Sequence, residues 1–329
     1  MTAPATNTTT SAGPQGLAHV LAVAKPSPLL APRLAAAFEL HALDPATLAT
    51  LAPHIRGIFA SGESKVPADL IAQLPALEVI SVMGVGYDGI DVAAAKARGV
   101  MVTHTPDVLN DDVADLAIGL MLSAARQLPA ADRYVRAGTW PQGPMPLARK
   151  MSGARLGIVG MGRIGQAIAQ RALAFNMSVA YTARSAKAGL PFAYHANATA
   201  LAAQSDFLVV ITPGGAATRK LIDATVLAAL GSSSAQGGIL VNVARGSVVD
   251  ETALIDALER GVIPAAGLDV FEAEPNVPER LRALPQVVLS PHIGSATGQT
   301  RQAMADLAFD NLQLALSGQP VRTPVPELR

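Results

Sequence analysis

From residue 19 onward, short apolar runs rich in β-branched residues alternate with Ala/Leu-rich stretches of helical period. No other feature of the chain narrows its fold as much. Adjacent parallel strands need a crossover between them, usually a helix, so this rhythm predicts βα units and mostly parallel sheets. The first set of strand-like runs is HVLAVA (19–24), IRGIFA (55–60), LEVISVM (77–83) and VMVTHT, with VPADLIAQL (66–74) and DVAAAKARG (91–99) falling between them. The second set is LGIVG (156–160), SVAYT (178–182), DFLVVIT (206–212), GILVNVA (238–244), AAGLDV (265–270) and QVVLS (286–290). Its helices include RIGQAIAQRALAF (163–175) and ETALIDALERG (251–261). Two α/β units are expected, one over residues 18–108 and one over 109–297. The long apolar helix pattern from Asp111 to Ala125 reads as a crossover between them. A last helix pattern, near 297–316, has no strand after it in the second unit.

The chain has 329 residues, enough for two domains with a large core. Lys+Arg and Asp+Glu are equal at 25 each, and zero net charge weighs against nucleic acid or an anionic membrane as the main partner. There is no cysteine, so disulfides and thiolate metal sites are excluded, which fits a cytoplasmic protein. No uninterrupted apolar run is long enough to span a bilayer. Residues 1–17 are polar and rich in Thr, Ala and Pro, without the Lys or Arg of a signal-peptide n-region. They are expected to form a disordered tail.

The strand LGIVG ends at Gly160, and Met161, Gly162, Arg163, Ile164 and Gly165 complete a G-x-G-x-x-G turn that opens a helix pattern. Each glycine has a reason to be there. Gly160 permits the tight turn, Gly162 lets the backbone approach a pyrophosphate, and Gly165 permits close packing of helix on strand. The amides of Arg163 and Ile164 would point at the phosphates, aided by the helix dipole. A dinucleotide is the expected cofactor. The next strand decides which one, because an acid at its end would bind the ribose 2′-OH and repel a 2′-phosphate. No acid lies between Ala180 and Lys187; Arg184, Ser185 and Lys187 stand there instead. A guanidinium, a hydroxyl and an ammonium suit a phosphate dianion, so NADPH is expected over NADH.

Three polar side chains follow in order. Arg245 lies in LVNVARGSVVD, Glu274 in GLDVFEAEP and His292 in LSPHIGSA. Arg245 and His292 each follow a strand run, at the carboxyl end where ligands bind in open α/β sheets. A guanidinium can clamp a carboxylate and stabilise developing alkoxide charge. A histidine moves protons near neutral pH, and a carboxylate beside it fixes its tautomer and raises its pKa. His19, His41, His54, His104 and His195 lack such a context and read as structural or exposed.

With the glycine turn, these segments resemble the D-2-hydroxyacid dehydrogenases in order and content, over almost everything after residue 18. The resemblance implies two doubly wound parallel-sheet domains: a Rossmann coenzyme domain over 109–297 and a flavodoxin-like substrate domain with a cleft between them. The last helix resembles a return helix, which would make the substrate domain discontinuous, 18–108 plus 298–329. It implies that Arg245 holds an α-keto acid while His292 and Glu274 supply the proton. Asp269 would hydrogen-bond the nicotinamide carboxamide. Val243 and Ala244 would face the same ring, Thr212 and Pro213 would line the adenosine end, and Gly294 and Ser295 would floor the nicotinamide site. In the loop MGVGYDGID, the amides of Val85 and Gly86 would hold the substrate carboxylate. Asp88 and Asp91 read there as turn and capping residues.

Residues 126–150 fit neither unit and resemble the family's dimer arm, with Trp140 reaching a neighbouring subunit's substrate site. A homodimer is therefore expected. The wording is most like that of NADPH-dependent glyoxylate/hydroxypyruvate reductases. Met83 and the arm would set substrate size, so 2-ketogluconate and aromatic pyruvates stay open. Asp112 departs from the smaller residue usual at its position, which implies different packing or cofactor contacts there. Formate dehydrogenases share the fold but would pair the histidine with Gln rather than Glu274; phosphite oxidation is less well excluded. A non-catalytic NAD(P)(H)-sensing interaction protein is the competing class.

Overall fold

The structure, a computed structural model, describes residues 16–329, so the expected tail falls outside it but for its last two residues. The chain divides into two compact units. The first takes the chain up to Met83, then Gly89–His104 and Ala305–Arg329; the second takes Gly84–Asp88 and Thr105–Met304. The expected boundary at 108 thus falls after His104, and the loop Gly84–Asp88 clusters with the second unit. One cause is local: the Thr105 amide donates to the Gly84 carbonyl at 2.8 Å.

The first unit is a five-stranded parallel sheet of β1 (His19–Ala22), β2 (Glu39–Ala42), β3 (Ile55–Ser61), β4 (Val79–Met83) and β5 (Met101–Thr103). The strand order is β2-β1-β3-β4-β5, the flavodoxin-like order. Helices α1 (Ala31–Ala37), α2 (Pro45–Leu51), α3 (Ala68–Gln73) and α4 (Val92–Ala97) form the crossovers. Burial explains the apolar runs: Val20, Leu21, Ile58, Ile80 and Val82 are fully enclosed. Asp44 and Asp91 cap α2 and α4, each accepting a hydrogen bond from a first-turn amide. The run HVLAVA stops pairing at Ala22, earlier than expected. Strand β2 was not foreseen. ELHA has no β-branched residue, and only its edge pairing with β1 makes it a strand.

The second unit holds seven parallel strands, β6 (Arg155–Val159), β7 (Ser178–Thr182), β8 (Ala193–Tyr194), β9 (Phe207–Val210), β10 (Ile239–Asn242), β11 (Ala265–Leu268) and β12 (Val287–Leu289). Their order is β12-β11-β10-β9-β6-β7-β8, a doubly wound sheet whose strand order reverses between β6 and β9. Its helices are α5 (Asn110–Arg126), α6 (Leu128–Arg136), α7 (Arg163–Ala174), α8 (Ala198–Ala203), α9 (Ala224–Ala229), α10 (Glu251–Glu259) and α11 (Glu279–Arg282). Close packing relies on small residues: a Cβ on Gly267 of β11 would stand 3.0 Å from Cβ of Leu120 in α5. The two-residue strand β8 was also missed; it is too short to show alternation.

Helix α12 (Gly298–Leu316) begins in the second unit and ends in the first. Its later turns pack on the first sheet, where Ser81 donates to the Ala308 carbonyl at 2.8 Å. Gly57 makes room there, since a Cβ would meet Leu312 Cδ1 at 3.0 Å. Within residues 126–150, Leu128, Val135, Trp140 and Leu147 all expose apolar surface, and α6 buries no residue. Among the described residues, no helix is long and apolar enough to cross a membrane.

Candidate active site

The glycine turn sits at the switch point of the second sheet. Gly160 has φ +105°, a left-handed conformation, and a Cβ there would meet the Ile211 carbonyl oxygen at 2.5 Å. The loops leaving β6 and β9 thus touch through Gly160. A Cβ on Gly165 would lie 2.2 Å from the Gly160 carbonyl oxygen, so α7 can pack this close only with glycine. Gly162 differs. It is the N-cap of α7 with no side-chain cap, and a Cβ there would meet nothing within 4 Å. An open approach to uncapped first-turn amides fits a pyrophosphate.

The Arg163 side chain turns away to Asp107, at 3.0 Å, and leaves its amide at the helix start. Met161 is buried, so any cofactor contact there is restricted to main chain. Beyond β7, Arg184, Ser185 and Lys187 are exposed, and the Lys187 amide donates to the Tyr181 hydroxyl at 2.7 Å. That bond folds the segment back on the buried Tyr181 ring and leaves both cationic side chains outward. Thr212 is half-buried and Pro213 exposed at the end of β9.

Arg245 follows β10, and three neighbours hold it. Asn242, buried at the strand end, donates to the Arg245 carbonyl at 3.0 Å and accepts from the Ala244 amide at 3.0 Å. The guanidinium donates through Nη1 to the Ala244 carbonyl at 2.8 Å, and its Nε lies 3.3 Å from Asp88 Oδ1. Asp88 is therefore more than a turn residue: it meets the arginine. Two glycines make the space. A Cβ on Gly86 would stand 1.9 Å from Arg245 Nη2, and one on Gly214 would stand 2.8 Å from Asp88 Oδ2. Gly86 thus lies at the guanidinium. Met83, the last residue of β4, is buried in the first unit.

A further glycine joins Arg245 to the carboxylate. A Cβ on Gly246 would fall 1.9 Å from the Phe271 carbonyl carbon, so the two loops are in backbone contact. The Phe271 amide donates to Glu274 Oε1 at 2.8 Å, and Glu274 Oε2 lies 2.8 Å from His292 Nδ1. Burial alone would raise the Glu274 pKa. The hydrogen bonds from His292 and the Phe271 amide, with the charges of His292 and Arg245, outweigh it and hold the carboxyl below its ordinary range. Glu274 is therefore an anion at neutral pH, suited to stabilise an imidazolium.

Asp269 fixes the loop that carries His292. It is buried, and its carboxylate accepts from Ser290 Oγ at 2.7 Å, the Ile293 amide at 2.9 Å and the Gly294 amide at 2.8 Å. Its carbonyl also accepts from the His292 amide at 2.9 Å. These bonds hold His292 at φ +52°, a left-handed backbone that a histidine rarely adopts. A carboxylate has about four acceptor positions, so three donors leave room for one more. Gly294 is buried and Ser295 half-buried beside it. Val243 and Ala244 are buried at the end of β10.

Asp112 also finds a partner. It lies in the first turn of α5 and accepts from Thr297 Oγ1 at 2.5 Å, while Thr297 caps the start of α12. Asn242, Asp88, Gly214 and Gly246 were missed by sequence reasoning. The one available signal was Asn242, a polar residue inside the apolar run ILVNVA.

The chain has counterparts among known proteins. Residues 118–294 match the family described as D-isomer specific 2-hydroxyacid dehydrogenase, NAD binding domain. A hydroxyphenylpyruvate reductase of Plectranthus scutellarioides is 47% identical over 84% of this chain and 88% of its own. A glyoxylate/hydroxypyruvate reductase of Arabidopsis thaliana is 48% identical over 82% and 85%. Among solved structures, an NADPH-dependent glyoxylate/hydroxypyruvate reductase of Sinorhizobium meliloti, in complex with NADP and malonate, is similar at TM-score 0.87 and 46% identity. It covers 94% of this chain and 97% of its own. The chain is an oxidoreductase of two parallel-sheet α/β domains and belongs to the D-isomer specific 2-hydroxyacid dehydrogenase family.

Proposed function

We propose that the chain reduces a small 2-keto acid, glyoxylate or hydroxypyruvate, to the D-2-hydroxy acid with NADPH. The observation that carries this reading is the contact of His292 with an ionised Glu274, next to the loop that presents Arg245. NADPH, when bound, supplies the hydride to the carbonyl carbon. Gly162 and the first turn of α7 hold its pyrophosphate, and Arg184, Ser185 and Lys187 take its 2′-phosphate. Met161, Arg163, Ile164, Thr212, Pro213, Val243, Ala244, Asp269, Gly294 and Ser295 complete the cofactor contacts. Arg245 pairs with the substrate carboxylate and carbonyl oxygen, and the Val85 and Gly86 amides contribute to the same anion. His292 Nδ1 is committed to Glu274, so the proton reaches the developing alkoxide from Nε2. Glu274 holds the tautomer and offsets the imidazolium charge.

The first unit is read as the substrate domain, with Met83 limiting substrate size, and the second as the coenzyme domain. Residues 126–150 are read as an arm that embraces a second copy, with Trp140 reaching the neighbour's site. Their exposed apolar side chains support this.

Initial rates of nicotinamide absorbance loss test the proposal. Glyoxylate, hydroxypyruvate, 2-ketogluconate and hydroxyphenylpyruvate are each offered with NADPH and NADH. Fast NADPH oxidation with the two small acids supports it. A preference for NADH removes the 2′-phosphate reading. Turnover confined to the aromatic acid favours the second reading, aryl-pyruvate reduction, which the 47% identity to the Plectranthus enzyme supports. Saturable cofactor binding without turnover of any acid favours a sensor.

A further inference from the structure

Three histidines gather at one end of the first sheet, outside every group the proposed reaction uses. His19 begins β1, Glu39 begins the edge strand β2, and the parallel register sets His19 opposite Glu39. His41 lies two residues beyond Glu39, so the period of two puts it on the same face. The side chains converge. His19 Nδ1 and His41 Nε2 are 3.0 Å apart, and His19 Nε2 lies 3.3 Å from Glu39 Oε2. The rings of His19 and His41 stack with centroids 5.0 Å apart, and the His54 ring lies 5.6 Å from His19. The cluster occupies the strands' amino-terminal end, opposite the end at which β4 runs out at Met83.

One nitrogen from each of His19 and His41 and one oxygen of Glu39 all fall within 4.8 Å of one another. On a tetrahedral Zn²⁺ with bonds of about 2.0–2.1 Å, two ligand atoms stand roughly 3.4 Å apart. The His19–His41 pair at 3.0 Å therefore needs to open by about 0.4 Å to accept an ion on His19 Nδ1, and the exposed Glu39 carboxylate, now beside His19 Nε2, turns toward the same nitrogen. The donor set also selects the metal. Two imidazoles and one carboxylate suit Zn²⁺, Ni²⁺ or Cu²⁺, whereas Mg²⁺ and Ca²⁺ prefer all-oxygen shells.

We infer that His19, Glu39 and His41 form a three-ligand site for a borderline divalent transition ion such as Zn²⁺, joining the edge strand β2 to β1. Solvent completes the coordination, because Glu39 is exposed and the two rings are half-buried. An edge strand of four residues without β-branched side chains gains from such a tie. The inference is independent of the proposed reaction and uses none of its residues.

The test is titration calorimetry with ZnCl₂ on metal-free, tag-free full-length protein, with melting temperature read alongside. His292 and Glu274 are the competing place for an ion, so His292→Gln serves as the control. The expected result is one equivalent of Zn²⁺ bound by wild type and by His292→Gln, with a rise in melting temperature. His41→Gln and Glu39→Gln each weaken binding at least tenfold and abolish the rise. Should one variant fail to fold, the other is judged by the same criterion. With Co²⁺ as the probe, visible d–d bands appear in wild type and are missing from His41→Gln. The inference is overturned if no Zn²⁺ binds, if both variants bind like wild type, or if binding is lost with His292→Gln instead.

Discussion

Substituting Gly86 by Ala isolates what the guanidinium position is worth. The new methyl would sit 1.9 Å from Arg245 Nη2, 2.9 Å from Cζ and 3.0 Å from Asp88 Oδ1. Ordinary contact begins at 3.4 Å, so the Nη2 atom must retreat by about 1.5 Å. What yields is the end of a flexible side chain, so the fold survives. The guanidinium cannot retreat and also keep both its bond to the Ala244 carbonyl and its pairing with Asp88. A misplacement of about 1 Å at a reacting group costs roughly 10²-fold. At 1.36 kcal/mol per decade that is about 2.7 kcal/mol of lost transition-state stabilisation. Gly86→Ala is therefore expected to lower kcat/KM for glyoxylate and hydroxypyruvate about 100-fold. NADPH affinity, measured by fluorescence titration, and melting temperature should stay near wild type. If kcat/KM stays within about threefold of wild type in a folded variant, Arg245 does not clamp the substrate from this position.

His292→Ala should leave NADPH binding intact and cut kcat by roughly 10²–10⁴-fold in steady-state assays; an unchanged kcat removes His292 from the reaction. Arg184→Ala should raise KM for NADPH by about tenfold while leaving KM for NADH within about twofold, since only NADPH carries the 2′-phosphate. Equal effects on both cofactors would discard that contact. Asp206 lies between Arg149 and Arg155, both within 3.0 Å, and the hydrogen bond from Arg155 leads in holding its pKa below the ordinary range. A lowered folded pKa gives stability that is present above the unfolded value and lost as pH falls through the folded one. Urea melts of wild type should therefore weaken as pH falls below the ordinary aspartate range, and Asp206→Asn should flatten that limb. The same variant should lose about 2 kcal/mol at neutral pH, because the half-buried Arg149 and Arg155 lose a charged hydrogen-bond partner. An acid limb unchanged by the substitution would rule Asp206 out as its source.

The α/β class and the two sheets were legible because both period and punctuation were strong. Runs such as FLVVI (207–211) are apolar throughout, as strands covered on both faces must be, and the glycines of the dinucleotide turn stand at fixed offsets. The weak elements were not legible. ELHA and AY become strands only through pairing at a sheet edge, which composition does not encode. Arg245, Glu274 and His292 were marked by their segments, and the structure brings Glu274 to His292 and Arg245 to the Gly86 loop. What surrounds them was hidden. Asp88 lies more than 150 positions before Arg245, and no local pattern tells a carboxylate that meets a distant arginine from one that closes a turn. Asp269 was assigned to the nicotinamide by resemblance, and the three bonds its carboxylate accepts from residues 290–294 emerged only with the folded loop.

The grip of Asp269 on that loop bears on how such a protein diversifies. The conformation around His292 is specified from outside the loop, by the carboxylate and carbonyl of one buried residue acting on Ser290, His292, Ile293 and Gly294. Two of those bonds end on main-chain amides of residues 293 and 294, which every amino acid but proline provides. Ile293 is held through its main chain alone, its amide by Asp269 and its carbonyl by the Ala296 amide, while its side chain is exposed. It can therefore drift by mutation, and with it the surface beside the histidine, while His292 keeps its place. Tolerance of this kind lets one scaffold try new substrates before any change is needed in the residues proposed to do the chemistry.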